Sequence, residues 1–269
     1  MEKENNTVND IAALALAGSQ FVKTDIPFVI VPRGHEVVSL KNQMEKEGQI
    51  KQRVSVKTAS SLIAYFVRFK DARSVIFADK DNVRFRGVLD YHGDHASPDE
   101  CSHVVSYDCP LSDDWKAING NDKQKFDQVD FAEFLEQNIN LIAPVSDNYA
   151  GPSGAELLSM VLAFQETRES AFKSVQRLSD GTCQFSFSNE KSGSGNTQLP
   201  EKISLAVSPF HNGTAYQIDA RIRYRLREGR LALWYELIEP KKIIEHAFNE
   251  ILVDLEAQLP DVPVFEGAI

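Results

Sequence analysis

The feature that most constrains this chain is a run of alternating residues towards its C-terminal end. "KISLAVS", "AYQIDARIRYRL" and "RLALWYEL" switch between apolar and polar side chains, with "HNGT" and "REG" between them. A period of two puts one set of side chains on each face of a pleated strand, so each segment reads as a half-buried strand. The links are short and built of turn-forming residues, which makes neighbouring strands antiparallel. Just upstream, "AFKSVQRL" and "CQFSFSN" flank "SDGT", an Asp-Gly hairpin signal. "EKSGSGNTQ" is rich in glycine and serine and reads as a flexible polar loop. Residues 171–239 therefore read as strands almost throughout.

Helical spacing appears on either side of this run. "TASSLIAYFVRF" places Leu62, Ile63, Phe66, Val67 and Phe69 at helical intervals. "SVIFAD" and "VRFRGVLDY", joined by "DKDN", and then "HVVSYD" predict a three-stranded meander. Ser112 is a candidate N-cap for "PLSDDWKAI", and "DQVDFAEFLEQNINLI" carries Val129, Phe131, Phe134 and Leu135 on one face. "SGAELLSMVLAFQE" opens with a Ser153…Glu156 capping box. A last helix follows Pro240, with Ile243, Ile244, Phe248, Ile251 and Leu255 on one side. Near the N-terminus a short helix over residues 8–20, capped by Asn9 or Asp10, precedes a strand in "IPFVIVPRG". The charged segment "LKNQMEKEGQIKQR" shows no period.

The expected class is α+β, with antiparallel meanders packed against helices and the longer sheet in the C-terminal half. Four regions are expected. They are an N-terminal helical arm at 1–23, an α+β lobe with the meander at 24–146, a sheet with flanking helices at 147–258, and an extended tail at 259–269. "APVSDNYAGP", with two prolines and a glycine, marks the internal boundary.

Charge and cysteine usage narrow the setting. The net charge is −10 over 269 residues. That balance argues against a protein that coats nucleic acid, although a local basic patch can still act. "MEKENNTVND" has no basic and apolar sequence of a signal peptide, and "IAALALAG" is too short to cross a bilayer. Three cysteines, Cys101, Cys109 and Cys183, cannot all pair within one chain. Reduced thiols and a cytoplasmic location, without membrane contact, are expected.

The densest set of metal-binding residue types is "VLDYHGDHASPDECSHVVSYDC", residues 88–109. It holds Asp90, His92, Asp94, His95, Cys101, His103 and Cys109, half of the histidines and two of the three cysteines. Alternating His and Asp leave a strand end towards one point, where a metal would acidify a water for attack. "DYHGDH" looks like the H-x-H-x-D-H motif of the metallo-β-lactamase fold, with Asp90 replacing the first histidine. It implies a metal-dependent hydrolase or nuclease centred on His92, Asp94 and His95. That chemistry needs another histidine downstream, and none lies between His103 and His211. A structural zinc set of Cys101, His103 and Cys109 with His92 or His95 lacks the usual cysteine knuckle. The preferred reading is a polar hairpin loop around Gly93 and Pro98, with the cysteines as small hydrophobes and no metal or other cofactor.

"ARIRYRLREGR" is the other notable stretch. Alternation puts Arg221, Arg223, Arg225 and Arg227 on one face, and Ile222, Tyr224 and Leu226 on the other. Such a row can hold phosphate, nucleic acid or an acidic protein. It can equally pair with Asp219, Glu236 and other carboxylates across the sheet. With 39 acidic against 29 basic residues, pairing within the protein or its own oligomer is the expected role. Nucleic acid is not the expected partner. No P-loop, nucleophile elbow or dinucleotide fingerprint occurs. "GPSGAE" opens a helix whose amides can hold an anion, but a loop and an N-cap account for it.

After the last helix comes "PDVPVFEGAI". Two prolines forbid further helix, and Val262, Val264, Phe265 and Ile269 make the segment apolar. Burying one such side chain is worth about 1.5–3 kcal/mol. The tail therefore folds back on its own sheet or docks on a neighbour, and a homo-oligomer contact is expected.

"PFVIVPRG", "RFKDARSVIFADKDNVRFRGVLDYH", "FAEFLEQN", "PSGAELL" and "LALWYELIEPKKIIEHAFNEIL" together resemble the YfdQ-like family of phage and prophage proteins. The likeness keeps the same order through almost the whole chain. It implies a phage or prophage product acting in the bacterial cytoplasm, and it carries no catalytic residues. The expected function is non-enzymatic, through homo-oligomeric assembly or binding of a host or phage protein.

Overall fold

The computed structural model describes residues 50–93, 99–143, 151–166, 171–189 and 193–269, and two short strands before them. The chain divides into two compact units, Met1–Ile50 and Lys51–Ile269. In the first, Phe21–Val22 (β1) pairs antiparallel with Phe28–Val29 (β2). The helix expected over residues 8–20 lies outside the described residues.

The second unit contains the expected meander, Val75–Asp79 (β4), Arg84–Val88 (β5) and Val104–Asp108 (β6), antiparallel in turn. Two further strands extend it. Arg53–Val56 (β3) runs parallel to β6, and Val264–Glu266 (β13) runs parallel to β4. The result is a five-stranded mixed sheet of order β13-β4-β5-β6-β3. Helix Ala59–Phe69 (α1) carries the chain from β3 to β4, and the hydroxyl of Thr58 caps it by accepting from the Ser61 N–H at 3.1 Å. Leu62, Ile63 and Phe66 of α1 pack with Phe248, Leu252 and Leu255 of helix Pro240–Gln258 (α5) on Ile76, Ala78, Phe85 and Val105. Gly87 lies beneath Phe66, where an added Cβ would meet the ring at 1.9 Å. Only glycine admits that approach.

The other sheets are antiparallel and three-stranded. Lys202–Val207 (β10), Tyr216–Arg227 (β11) and Arg230–Leu237 (β12) form one. Ala171–Arg177 (β7), Cys183–Asn189 (β8) and Gly193–Leu199 (β9) form the other. Strand β9 corrects the expected flexible loop, since most of "EKSGSGNTQ" is paired with β8. The physical reason is the packing of Phe187 over Gly195, whose missing Cβ would lie 2.7 Å from the ring. Thr197 and Leu199 are buried on the same strand. Cross-strand packing outweighs a loop-like composition here.

Helices Asp113–Gly120 (α2), Gln128–Gln137 (α3) and Gly154–Glu166 (α4) join both three-stranded sheets in one core, through Trp115, Phe131, Leu157, Phe164, Phe185 and Leu233. The expected caps are in place. The Trp115 N–H donates to Ser112 Oγ at 3.0 Å. Ser153 and Glu156 exchange bonds at 2.7 and 3.3 Å. This core draws on residues from Trp115 to Leu237, while the core under the five-stranded sheet draws on Leu62 to Cys109 and Phe210 to Val262. One is thus largely nested within the other in sequence, and α2 and α3 pack with the C-terminal sheets rather than with the meander. The fold is α+β, with its longest strands, β11 and β12, in the C-terminal half.

Candidate functional site

Helices α1 and α5 lie on one face of the five-stranded sheet, and the register fixes what the other face carries. Phe265, Phe77, Arg86, Ser106 and Ser55 stand side by side across all five strands. Val75, Val88, Val104 and Arg53 form the next row. Among the described residues of this unit, no helix or sheet lies over this face. Arg84 is bound to Asp79 at 3.1 Å and so belongs to the sheet's own pairing. The Phe77 ring meets Phe265 and Tyr91 at 5.7 Å each. Beyond β13 the chain turns at Gly267, where φ is 146°, and the carbonyl of Ile269 accepts from Arg86. A cleft of about 340 Å³ opens beside this contact, lined by Arg53, Ser55, Arg86, Cys101, Ser106 and Ile269. Phe265 is 48% exposed and Ile269 50%.

The stretch rich in His and Cys forms the rim of this face, and its polar atoms are committed to holding the loop. Asp90 is buried and accepts from the Ser102 N–H at 2.8 Å, the Ser102 hydroxyl at 3.1 Å and the His103 N–H at 2.9 Å. His103 is buried against the edges of the adjoining Tyr65 and Phe69 rings of α1, with Nε2 2.8 Å from the Tyr65 hydroxyl. Burial pushes its pKa below the ordinary range, and the nearby Asp90 acts in the opposite direction. His92 Nδ1 accepts from the Asp99 N–H at 3.0 Å, and Arg73 binds Asp99 in turn. Cys101 Sγ is 3.6 Å from His92 Nε2. Its thiol is pushed up by burial and by Asp90 and Asp99, which disfavours the thiolate. Cys109 is buried and pushed up to about 12, chiefly by burial. Asp94 and His95 lie outside the described residues. Among the described residues, no three His, Cys, Asp or Glu converge on a point that would suit a metal.

The arginine row falls on the outward face of β11, as alternation predicts. Its cross-strand partners on β12 are Glu236, Trp234, Ala232 and Arg230. Arg223 pairs with Glu236 at 3.1 Å, and Trp234 Nε1 donates to the same carboxylate at 3.2 Å. Those two bonds, Trp234 first and Arg223 second, hold the Glu236 carboxyl below its usual range. Among the described residues Arg227 reaches only the exposed Glu228, at 3.6 Å. Arg221 and Arg225 are exposed and make no ion pair among the described residues. Lys125 Nζ lies 5.8 Å over the Trp234 ring.

The tail residues part company. Val262 is buried and Val264 packs against the core under the five-stranded sheet, while Phe265 and Ile269 face outward. Phe77, Arg86 and Ser55 of the open face escape a sequence reading because they come from separate strands. The only local signal is the alternation within β4 and β5.

These features define an α+β protein whose five-stranded sheet has one face without a described helix or sheet of the unit over it. A family model described as "Uncharacterized conserved protein (DUF2303)" matches residues 1–269, and the chain belongs to this family. No curated protein and no solved structure matches it. No helix among the described residues is long and apolar enough to cross a membrane.

Proposed function

We propose that this protein is a phage or prophage product that binds rather than catalyses, and that copies of the chain assemble through the open face of the five-stranded sheet. The observation that carries this reading is the cluster of Phe77, Tyr91, Phe265 and Ile269 on that face. Apolar side chains grouped on one surface mark interaction sites. Burying each is worth about 1.5–3 kcal/mol. Charges of both signs lie on the same face, with Arg86 opposite Phe77, Arg53 opposite Val104 and Asp108 opposite Arg84. A second copy related by a two-fold axis can set acid against base. The phage setting is supported by the YfdQ-like resemblance. The non-catalytic reading is supported by Asp90, His92 and His103, each engaged in fixing the rim loop.

The test is native mass by light scattering, for the full chain and for F265D and I269D. The expected parent mass is a multiple of 30.1 kDa. Each variant is expected to fall to a single chain with an unchanged circular dichroism spectrum. A monomeric parent ends the proposal, and a folded F265D/I269D double variant of parental mass removes this face from the assembly.

A further inference from the structure

We propose that the outward face of β11 and β12 is a binding site for single-stranded nucleic acid, gripped through its phosphates by Arg221, Arg223, Arg225 and Arg227. This site lies on a different sheet from the proposed assembly face and stands independently of it.

The ribbon carries more positive charge than its surroundings neutralise. Of the four positions facing the row on β12, only Glu236 is acidic, and its carboxylate is already taken by Trp234 and Arg223. Asp219, on the same face of β11, accepts from the buried Ser204 hydroxyl. Glu228 sits at the hairpin tip with 84% of its side chain exposed, where an ion pair with Arg227 is worth little. Arg225 faces Ala232, and Arg227 faces Arg230 directly. Like charges placed opposite one another destabilise a sheet. Among the described residues only the exposed Glu228 acts against that repulsion, and an outside anion relieves it further. The overall charge of −10 makes the ribbon a local exception and discourages a polyanion from settling elsewhere.

Geometry favours a single strand over a duplex. Alternate residues on a strand recur every ~6.8 Å, an interval comparable to that between successive phosphates of an extended single strand. Duplex phosphates follow helical paths that leave a straight row after one or two contacts. Trp234, opposite Arg223, adds a half-exposed ring beside the row, already accompanied by Lys125. An unpaired base can stack on such a ring, while a duplex keeps its bases stacked on each other.

The experiment is a titration of fluorescently labelled oligo(dT) with the full chain, followed by anisotropy over a series of NaCl concentrations. Saturable binding is expected, with a log–log salt slope of roughly −2 to −3 for three or four phosphate contacts. R221A/R225A should bind at least about tenfold more weakly and flatten the slope by about 0.7 for each arginine removed. R221K/R225K keeps the charges and should retain most of the affinity. F265D should bind as the parent does, which separates this site from the assembly face. Absence of saturable binding at low salt overturns the proposal. So does parental affinity in R221A/R225A, or equal affinity for a duplex of the same length. Binding of poly-glutamate to the row without binding of oligo(dT) assigns the face to an acidic protein and also overturns it.

Discussion

A methyl group at residue 87 would strike the Phe66 ring, because that ring of α1 lies directly on the sheet there. Overpacking of this kind costs about 1–3 kcal/mol. G87A is therefore expected to lower the urea midpoint, and F66L in the same chain to restore part of the loss. An unchanged midpoint in G87A would show that α1 is not held so closely. His103 supplies a second test at this scale. Its pKa is lowered in the folded chain, so the unfolded chain takes up the proton more readily. The stability from a neutral His103 is fully present above the unfolded value, about 6.5. It is lost as pH falls through the lower folded value. Asp71, lowered chiefly by Arg73, and Asp79, lowered chiefly by Asn82, act only in a more acidic window. H103Q should give a flatter stability curve than the parent as pH falls below about 6.5. Parallel curves for the two proteins would contradict this.

At the scale of elements, β13 is the test of what the tail does within one chain. Deleting residues 260–269 removes the buried Val262, the pairing of β13 with β4 and the contact of Ile269 with Arg86. A loss of at least ~2 kcal/mol, and a fall in Tm of about 4–8 °C, are expected. A truncated chain that melts with the parent would mean that this pairing contributes nothing. The long elements can be read directly from the residues. The period of α1, the caps at Ser112 and Ser153 and the alternation of β11 are local signals, and local sequence decides them. The short edge strands cannot be read that way. Residues 53–56 and 264–266 become strands only because a neighbour distant in sequence pairs with them. The same holds for β9, where glycine and serine resemble a linker until Phe187 covers Gly195. The arginine row is legible because it lies on one strand. The open face is not, since its central row takes one residue from each of five strands.

The molecule as a whole nests one core inside the sequence span of another. Chain order gives that arrangement a consequence for synthesis. The residues of the inner core, from Trp115 to Leu237, emerge from a ribosome as one continuous segment, and that core can close while translation continues. The outer core cannot. Its meander appears early, then waits for α5 and finally for β13, whose Val264 pairs with Ile76 across nearly the whole unit. Closing so long a loop adds little entropy cost over a shorter one, yet it imposes a delay. Throughout that delay the free edge of β4 offers unpaired amides and carbonyls to any other strand, the exposure that leads nascent chains to associate wrongly.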